Sequence, residues 1–253
     1  TIILIRCNGN GGENVIRNIF LDLDETLFDF SKAERIAILK TLSHLGVDAE
    51  ESFVPIYSKI NDFMWKLLEK GQIQRSELKV KRFALFLDAI EVDADAVQAA
   101  AFYENALSQG HYYIEGAEDT VFTLKDKYDL YLVSNGTYKV QTGRLSDASV
   151  TPCFKKIFIS EKIGADKPSK EFFDKCFAQI PEFDRSESVI VGDSLTSDIQ
   201  GGINAGIKTI WYDRKNKGRD SCSLILPDYR ITDIRQLPDI IDDMSKGVVT
   251  CDK

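Results

Sequence analysis

Four short apolar runs constrain the fold of this chain more than any other feature: Ile19-Phe20-Leu21, Leu130-Tyr131-Leu132-Val133, Val189-Ile190-Val191 and Ile207 to Tyr212. Each ends near a polar residue and is followed by helical patterning. Unbroken apolar runs of this length suit strands buried on both faces, and their alternation with helices predicts an α/β fold with a doubly wound parallel sheet. In such sheets ligands bind beyond the carboxyl ends of the strands. The residues standing there are Asp22 and Asp24, then Ser134 and Asn135, then Asp193.

Between the first run and the second, residues 31–114 read as helices throughout. Ser31-Lys32-Ala33-Glu34 reads as a capping box, and the helix it opens stops near Gly46. Ile56, Ile60, Phe63, Met64, Leu67 and Leu68 form the apolar stripe of a second helix ending at Gly71. Val80, Phe83, Ala84 and Leu87 mark a third, and Val97, Ala100 and Ala101 a fourth. A block this long exceeds a crossover, so it is expected to form an inserted α-helical cap domain. The α/β core is then 17–30 plus 115–253. Residues 1–16, with a loop-like Cys7 to Asn14, are expected to lie outside the fold as an extension.

The composition, 43% hydrophobic and 28% charged over 253 residues, is that of an ordinary globular protein. A net charge of −8 argues against a sequence-independent grip on nucleic acid, which needs Lys and Arg on phosphates. Five scattered cysteines, Cys7, Cys153, Cys176, Cys222 and Cys251, form no C-x-x-C pair, so we expect a reducing, cytoplasmic setting with neither disulfide framework nor zinc. No apolar stretch nears the ~20 residues of a membrane helix. His44 and His111, the only histidines, are expected to be structural or exposed, and Phe63, Trp65 and Phe83 to be core packing rather than base-stacking surfaces.

Asp22 and Asp24, two positions apart at a strand end, point the same way and repel unless a cation or a shared proton separates them. Magnesium, which favours carboxylate oxygens, water and phosphate, is the simplest relief. Ser134-Asn135-Gly136 offers a hydroxyl and amides to a phosphoryl oxygen, though it is also an ordinary turn. Lys167-Pro168-Ser169 precedes a helix bearing Phe172, Phe173, Cys176 and Phe177, and its ammonium can offset charge on a transferring phosphoryl group. Gly192-Asp193 closes another buried run, and Asp198 opens the next helix, where it is either a cap or a ligand.

In the order Asp-x-Asp-x-Thr, Ser-Asn-Gly, Lys-Pro, Gly-Asp-x-x-x-x-Asp, these segments resemble the haloacid dehalogenase superfamily of aspartate-nucleophile phosphotransferases, from Ile19 to Tyr212. The resemblance implies a Rossmann-like core with a helical cap and a magnesium-dependent phosphatase. Asp22 would be the nucleophile, Asp24 the general acid and base, and Lys167 the group that orients Asp22. Ser134 and Asn135 would bind the phosphoryl group, with Thr26 bracing the loop beside it. Asp22, Asp24 through its carbonyl, and Asp193 would ligate magnesium, with Asp198 as a ligand or support. Asp24 favours ester hydrolysis over dehalogenation, because the dehalogenases of the superfamily lack that acid.

Gly192 to Ile199, continuing through Gly202 to Ile207 and Trp211, together with Trp65 to Ile73, resembles the bacterial branch acting on pyrimidine nucleoside monophosphates. The implied partner is a small phosphate ester, a nucleoside 5′-monophosphate. The alternatives are a sugar-phosphate or phosphoglycolate phosphatase, a phosphomutase of the same superfamily, or a non-catalytic phosphate sensor.

Overall fold

The computed structural model describes residues 3–4, 15–216, 218 and 224–245, and Cys7, Cys222 and Cys251 lie outside them. The chain divides into two compact units. One is an α/β unit within Thr1–Asp29, Tyr113–Tyr138 and Ala148–Lys253. The other is a helical unit of Phe30–Tyr112 and Lys139–Asp147.

The α/β unit carries a seven-stranded sheet: β1 (Ile3–Leu4), β2 (Asn18–Leu21), β3 (Asp129–Ser134), β4 (Phe154–Ile159), β5 (Ser188–Gly192), β6 (Lys208–Tyr212) and β7 (Tyr229–Ile231). Their order is β1-β7-β6-β5-β2-β3-β4. All neighbours are parallel except β1 against β7. Leu21 pairs with Leu132 on one side and Val191 on the other, so the residues that follow β2, β3 and β5 emerge at one edge.

The four apolar runs are β2, β3, β5 and β6, and β2 and β5 are buried at every position. β4 and β7 are strands that the sequence did not disclose. β4 carries exposed Lys155 and Lys156 at the sheet's border, where lysines discourage further pairing but break the apolar signature. β1 corrects the expectation that residues 1–16 lie outside the fold. Ile3 pairs with Arg230 and Leu4 with Tyr229, giving the edge of β7 a partner. Ile16 is also buried, with its N–H donated to Ser245 Oγ at 3.2 Å.

Among the described residues the α-helices are α1 (Phe30–His44), α2 (Phe53–Glu69), α3 (Arg75–Ala89), α4 (Ala96–Leu107), α5 (Ala117–Leu124), α6 (Tyr138–Ser146), α7 (Ser160–Ile163), α8 (Lys170–Phe177), α9 (Gln200–Ala205) and α10 (Leu237–Ser245). None is long and apolar enough to cross a membrane. α8 lays Phe172, Phe173, Cys176 and Phe177 on Phe20, Tyr131, Phe158 and Ile190 of the sheet. At about 1.5–3 kcal/mol per fully buried large apolar side chain, this layer fixes the start of α8, and with it Lys167.

The helical unit packs Ala37, Ile38, Tyr57, Phe83, Phe86 and Tyr103 into its own core. Helix positions agree with the periodicity, but some buried faces do not. Phe63 is 55% exposed and Val97 60%, while Arg82 and Asn61 are buried. Trp65 is partly buried beneath Arg75, and only Phe83 of the three aromatics is fully buried. His44 is exposed and stacks on Phe102 at 4.0 Å between ring centroids. The capping-box reading also fails in detail. α1 begins at Phe30, and the Glu34 oxygens accept from Ser58 and Asn61 of α2.

Lys139–Asp147, assigned from the sequence to the α/β core, groups with the helices instead. Val140 joins their core, and the buried Arg144 donates Nε–H to the Gly110 carbonyl at 2.8 Å. A Cβ on Gly143 would lie 2.8 Å from Ser108 Cβ, so glycine permits the approach of α6 to the end of α4.

Candidate active site

β2 delivers Asp22 to the sheet edge, where its N–H donates to the Val191 carbonyl at 3.0 Å. The chain then turns back sharply. Leu27 and Phe28 both donate to the Leu23 carbonyl, at 2.9 and 2.8 Å, and Glu25 N–H reaches the Phe28 carbonyl at 2.8 Å. Glu25 accordingly takes a left-handed conformation, with φ 60°. Phe28 anchors the turn edge-on against Tyr113, and Thr26 Oγ1 donates to Asp22 Oδ2 at 3.1 Å. Thr26 therefore holds the Asp22 carboxylate itself as well as the loop.

Lys167 arrives from the loop before α8, whose first turn is capped by Ser169 Oγ accepting from Phe172 N–H at 3.2 Å. The ammonium is 2% exposed, and its donors go to Asp22 Oδ1 at 2.7 Å, Asp198 Oδ1 at 2.6 Å and the Val133 carbonyl at 3.0 Å. All three N–H bonds are thereby used. Burial works against its charge, but Asp198 and Asp22 outweigh burial and hold its pKa above the usual range.

Asp198 is buried, and its Oδ2 accepts from Ser194 N–H at 3.1 Å. A Cβ on Gly192 would stand 2.3 Å from Asp198 Cγ, so the strand must end in glycine for Asp198 to reach the ammonium. Asp22, Asp193 and Asp198 each offer an oxygen within 4.8 Å of the others. Burial pushes the Asp22 pKa up; Lys167 opposes this, while Asp198 and Asp24 add to it. Asp193 is raised by burial, then by Asp22 and Asp198. Three carboxylates compensated by one ammonium, all hard oxygen donors, fit a divalent cation such as magnesium.

Of the eight residues singled out from the sequence, the structure gathers Asp22, Lys167, Asp193 and Asp198 directly, with Thr26 on Asp22. Ser134 is buried at the same edge, and its Oγ accepts from Gly136 N–H at 3.1 Å. The Asp24 carboxylate is partly exposed and is not one of the trio. Asn135 is bonded within the protein itself. Its side chain accepts from Lys167 N–H at 2.8 Å and donates to the Lys167 carbonyl at 2.9 Å, which makes it a clamp on the lysine loop.

Sequence reasoning missed Ser197, which receives the Asn135 amide at 3.3 Å, and the wall of a cavity of about 260 Å³ beside Asp193. That wall includes Glu25, Trp211 and Arg214. The position of Trp211 and Arg214 at the carboxyl end of β6 was the available signal.

A family model described as haloacid dehalogenase-like hydrolase matches residues 19–212. A HAD-hydrolase of Bacillus subtilis, YfnB, is 35% identical over 93% of this chain and 98% of its own. Its magnesium-bound crystal structure superposes with a TM-score of 0.85 over 90% of this chain and 99% of that one. Pyrimidine 5′-nucleotidase PynA of Streptococcus pneumoniae is 36% identical over 88% of this chain and 94% of that protein. Pyrimidine 5′-nucleotidase YjjG of Escherichia coli is 27% identical over 88% of this chain and 96% of that protein. Matched by the family model across its strand ends and by relatives along nearly its whole length, the chain belongs to the haloacid dehalogenase-like hydrolase family.

Proposed function

We propose that this hydrolase is a magnesium-dependent phosphatase acting on pyrimidine nucleoside 5′-monophosphates through a phosphorylated Asp22. The observation that carries the reading is the Lys167 ammonium bonded at once to Asp22 and Asp198 beside Asp193. Lys167 fixes the Asp22 carboxylate's direction and offsets its charge against the burial that favours the protonated form, as a nucleophile in such a site needs. Asp22 and Asp193, with the main-chain carbonyl of Asp24, would hold magnesium. Asp198, engaged by Lys167 and Ser194, suits a supporting position. Bound there, magnesium supplies positive charge that offsets the phosphoryl oxygens.

An Asp22 oxygen attacks phosphorus and the ester P–O bond breaks, while Asp24 passes its proton to the departing alkoxide. Asp24 then takes a proton from water as that water attacks the acyl phosphate, freeing inorganic phosphate and regenerating Asp22. Lys167 offsets charge on the phosphoryl group, Thr26 and Asn135 keep Asp22 and Lys167 aimed, and Ser134 receives a phosphoryl oxygen.

The nucleotide preference draws on the pneumococcal and E. coli relatives named pyrimidine 5′-nucleotidases, and the choice of magnesium on the magnesium-bound B. subtilis structure. The test is phosphate release from uridine, cytidine and thymidine 5′-monophosphates against sugar phosphates and phosphoglycolate, with and without magnesium. We expect magnesium-dependent release, highest on the nucleotides and lost in Asp22→Asn. Equal or faster turnover of the other esters would reassign the substrate, and release undiminished in Asp22→Asn would overturn the mechanism.

A further inference from the structure

A fourth strand also reaches this edge of the sheet. Trp211, next to last in β6 and 6% exposed, donates its indole N–H to the main-chain carbonyl of Asp193 at 2.8 Å. Arg214, in the turn after β6, donates from one guanidinium nitrogen to Glu25 Oε2 at 2.6 Å and from another to Asp29 Oδ2 at 3.4 Å. The turn is itself fixed. Asp213, buried, accepts from Arg230 at 2.6 and 3.2 Å and from Gly218 N–H at 2.8 Å, and the Arg230 guanidinium lies 5.5 Å from the centre of the Trp211 ring. One braced segment thus touches both Asp193 and the loop that follows Asp22.

Trp211 touches a peptide group and Arg214 touches two side-chain carboxylates, none of them reacting atoms. An indole N–H is a donor only, so a buried one needs an acceptor, and here it pins the peptide of the Asp193 ligand. Glu25 is a non-glycine residue in the left-handed region, an unfavourable conformation that persists only where its surroundings hold it. Its N–H, bonded to Phe28, fixes the plane of the Asp24–Glu25 peptide and so aims the Asp24 carbonyl away from Phe28. Arg214 grips the same residue by its side chain.

We propose that Trp211 and Arg214 are positioning residues of the metal site, Trp211 holding Asp193 and Arg214 holding the peptide that bears the Asp24 carbonyl. The proposal rests on the reading of this cluster as a magnesium site and adds two residues outside its four sequence motifs. The experiment is calorimetric titration of Mg²⁺ into the whole chain, with phosphate release measured alongside. Trp211→Phe keeps the buried ring and deletes the donor. Its Kd for Mg²⁺ should rise about tenfold, in line with other partners that orient metal ligands, and its kcat should return to near wild type at saturating Mg²⁺.

Arg214→Met should weaken Mg²⁺ binding comparably. In a Glu25→Gln background the same change should cost under about twofold, because Arg214 acts through Glu25, and Arg214→Lys should recover part of the loss. Arg214 and Glu25 are partly exposed, so this cycle tests the proposal at side chains where folding is not at stake. Mg²⁺ affinity unchanged in Trp211→Phe, tightened in Arg214→Met, or lost equally in both Glu25 backgrounds would overturn it. A wild type that binds Mg²⁺ but hydrolyses no ester would sink the phosphatase reading and leave the clamp standing. Turnover in the wild type with Mg²⁺ affinity indifferent to these variants would do the reverse.

Discussion

Lys167 keeps a full charge where almost no water reaches it, because two carboxylates and a carbonyl take all its N–H bonds. Lys167→Met would leave Asp22 and Asp198 facing each other uncompensated, and breaking such a buried pair costs about 3–5 kcal/mol. Thermal unfolding in chelator should place the variant well below wild type, and magnesium should restore more stability to it than to wild type. An unchanged midpoint would mean that the ammonium is not the compensating charge. Asp24 makes the opposite case. Since its carboxylate stands outside the trio, Asp24→Asn should lower turnover about 10²–10⁴-fold while leaving the calorimetric Mg²⁺ affinity within twofold. A matching loss of affinity would put that carboxylate among the ligands. The identity of these residues was legible in the sequence because four motifs, each ambiguous alone, occur in the order that resembles one superfamily. The partners of Asn135 were not, since an amide side chain says nothing of whether it will meet a phosphate or the backbone of a lysine 32 positions away.

In the helical unit, the sequence disclosed where helices run but misjudged parts of the faces they bury. Periodicity counts apolar residues, whereas α1, α2 and α3 bury Glu34, Asn61 and Arg82 in a hydrogen-bonded chain. Asn61 donates to Glu34 at 2.9 Å and accepts from Arg82 at 2.9 Å, and Ser58 also donates to Glu34. Joining these polar groups offsets only part of the cost of burying them, and no hydropathy pattern can foresee the joining. Burial pushes the Glu34 pKa up to about 7, with Ser58 opposing and Asp62 adding. A carboxyl raised when folded stabilises the native state fully below its unfolded pKa near 4.5, and that contribution is lost as pH rises through about 7. Wild type should therefore lose up to about 3 kcal/mol of helical-unit stability between pH 4.5 and 7.5, at ~1.4 kcal/mol per pKa unit. Glu34→Gln, which keeps an acceptor but does not titrate, should flatten that slope and be the more stable protein at pH 8. Parallel denaturation curves for the two proteins across this range would refute it.

Over the whole molecule, the cluster is assembled from residues far apart in sequence, Lys167 lying 145 positions from Asp22. Four of the sheet's strands and the order of the motifs could be read in advance, because doubly buried strands leave unbroken apolar runs. The order of strands could not, since the border strands β4 and β1 are short or lysine-bearing and are specified by pairing rather than by composition. What makes the site one object is that β2, β3 and β5 lie side by side in parallel with aligned ends. Such a cluster does not exist in the unfolded chain, so magnesium should bind the folded α/β unit almost exclusively and stabilise it by RT ln(1 + [Mg²⁺]/Kd), about 2.7 kcal/mol at a hundredfold excess over Kd. Hydrogen exchange with and without magnesium should then slow at the amides of β2, β3 and β5 and in the loops carrying Lys167 and Asp198. Asp193→Asn, which removes one carboxylate charge at nearly constant shape, should abolish most of that slowing at the same magnesium concentration. If protection rises to the same extent in the variant, magnesium acts on the general charge of an acidic chain, and the three carboxylates are not its site.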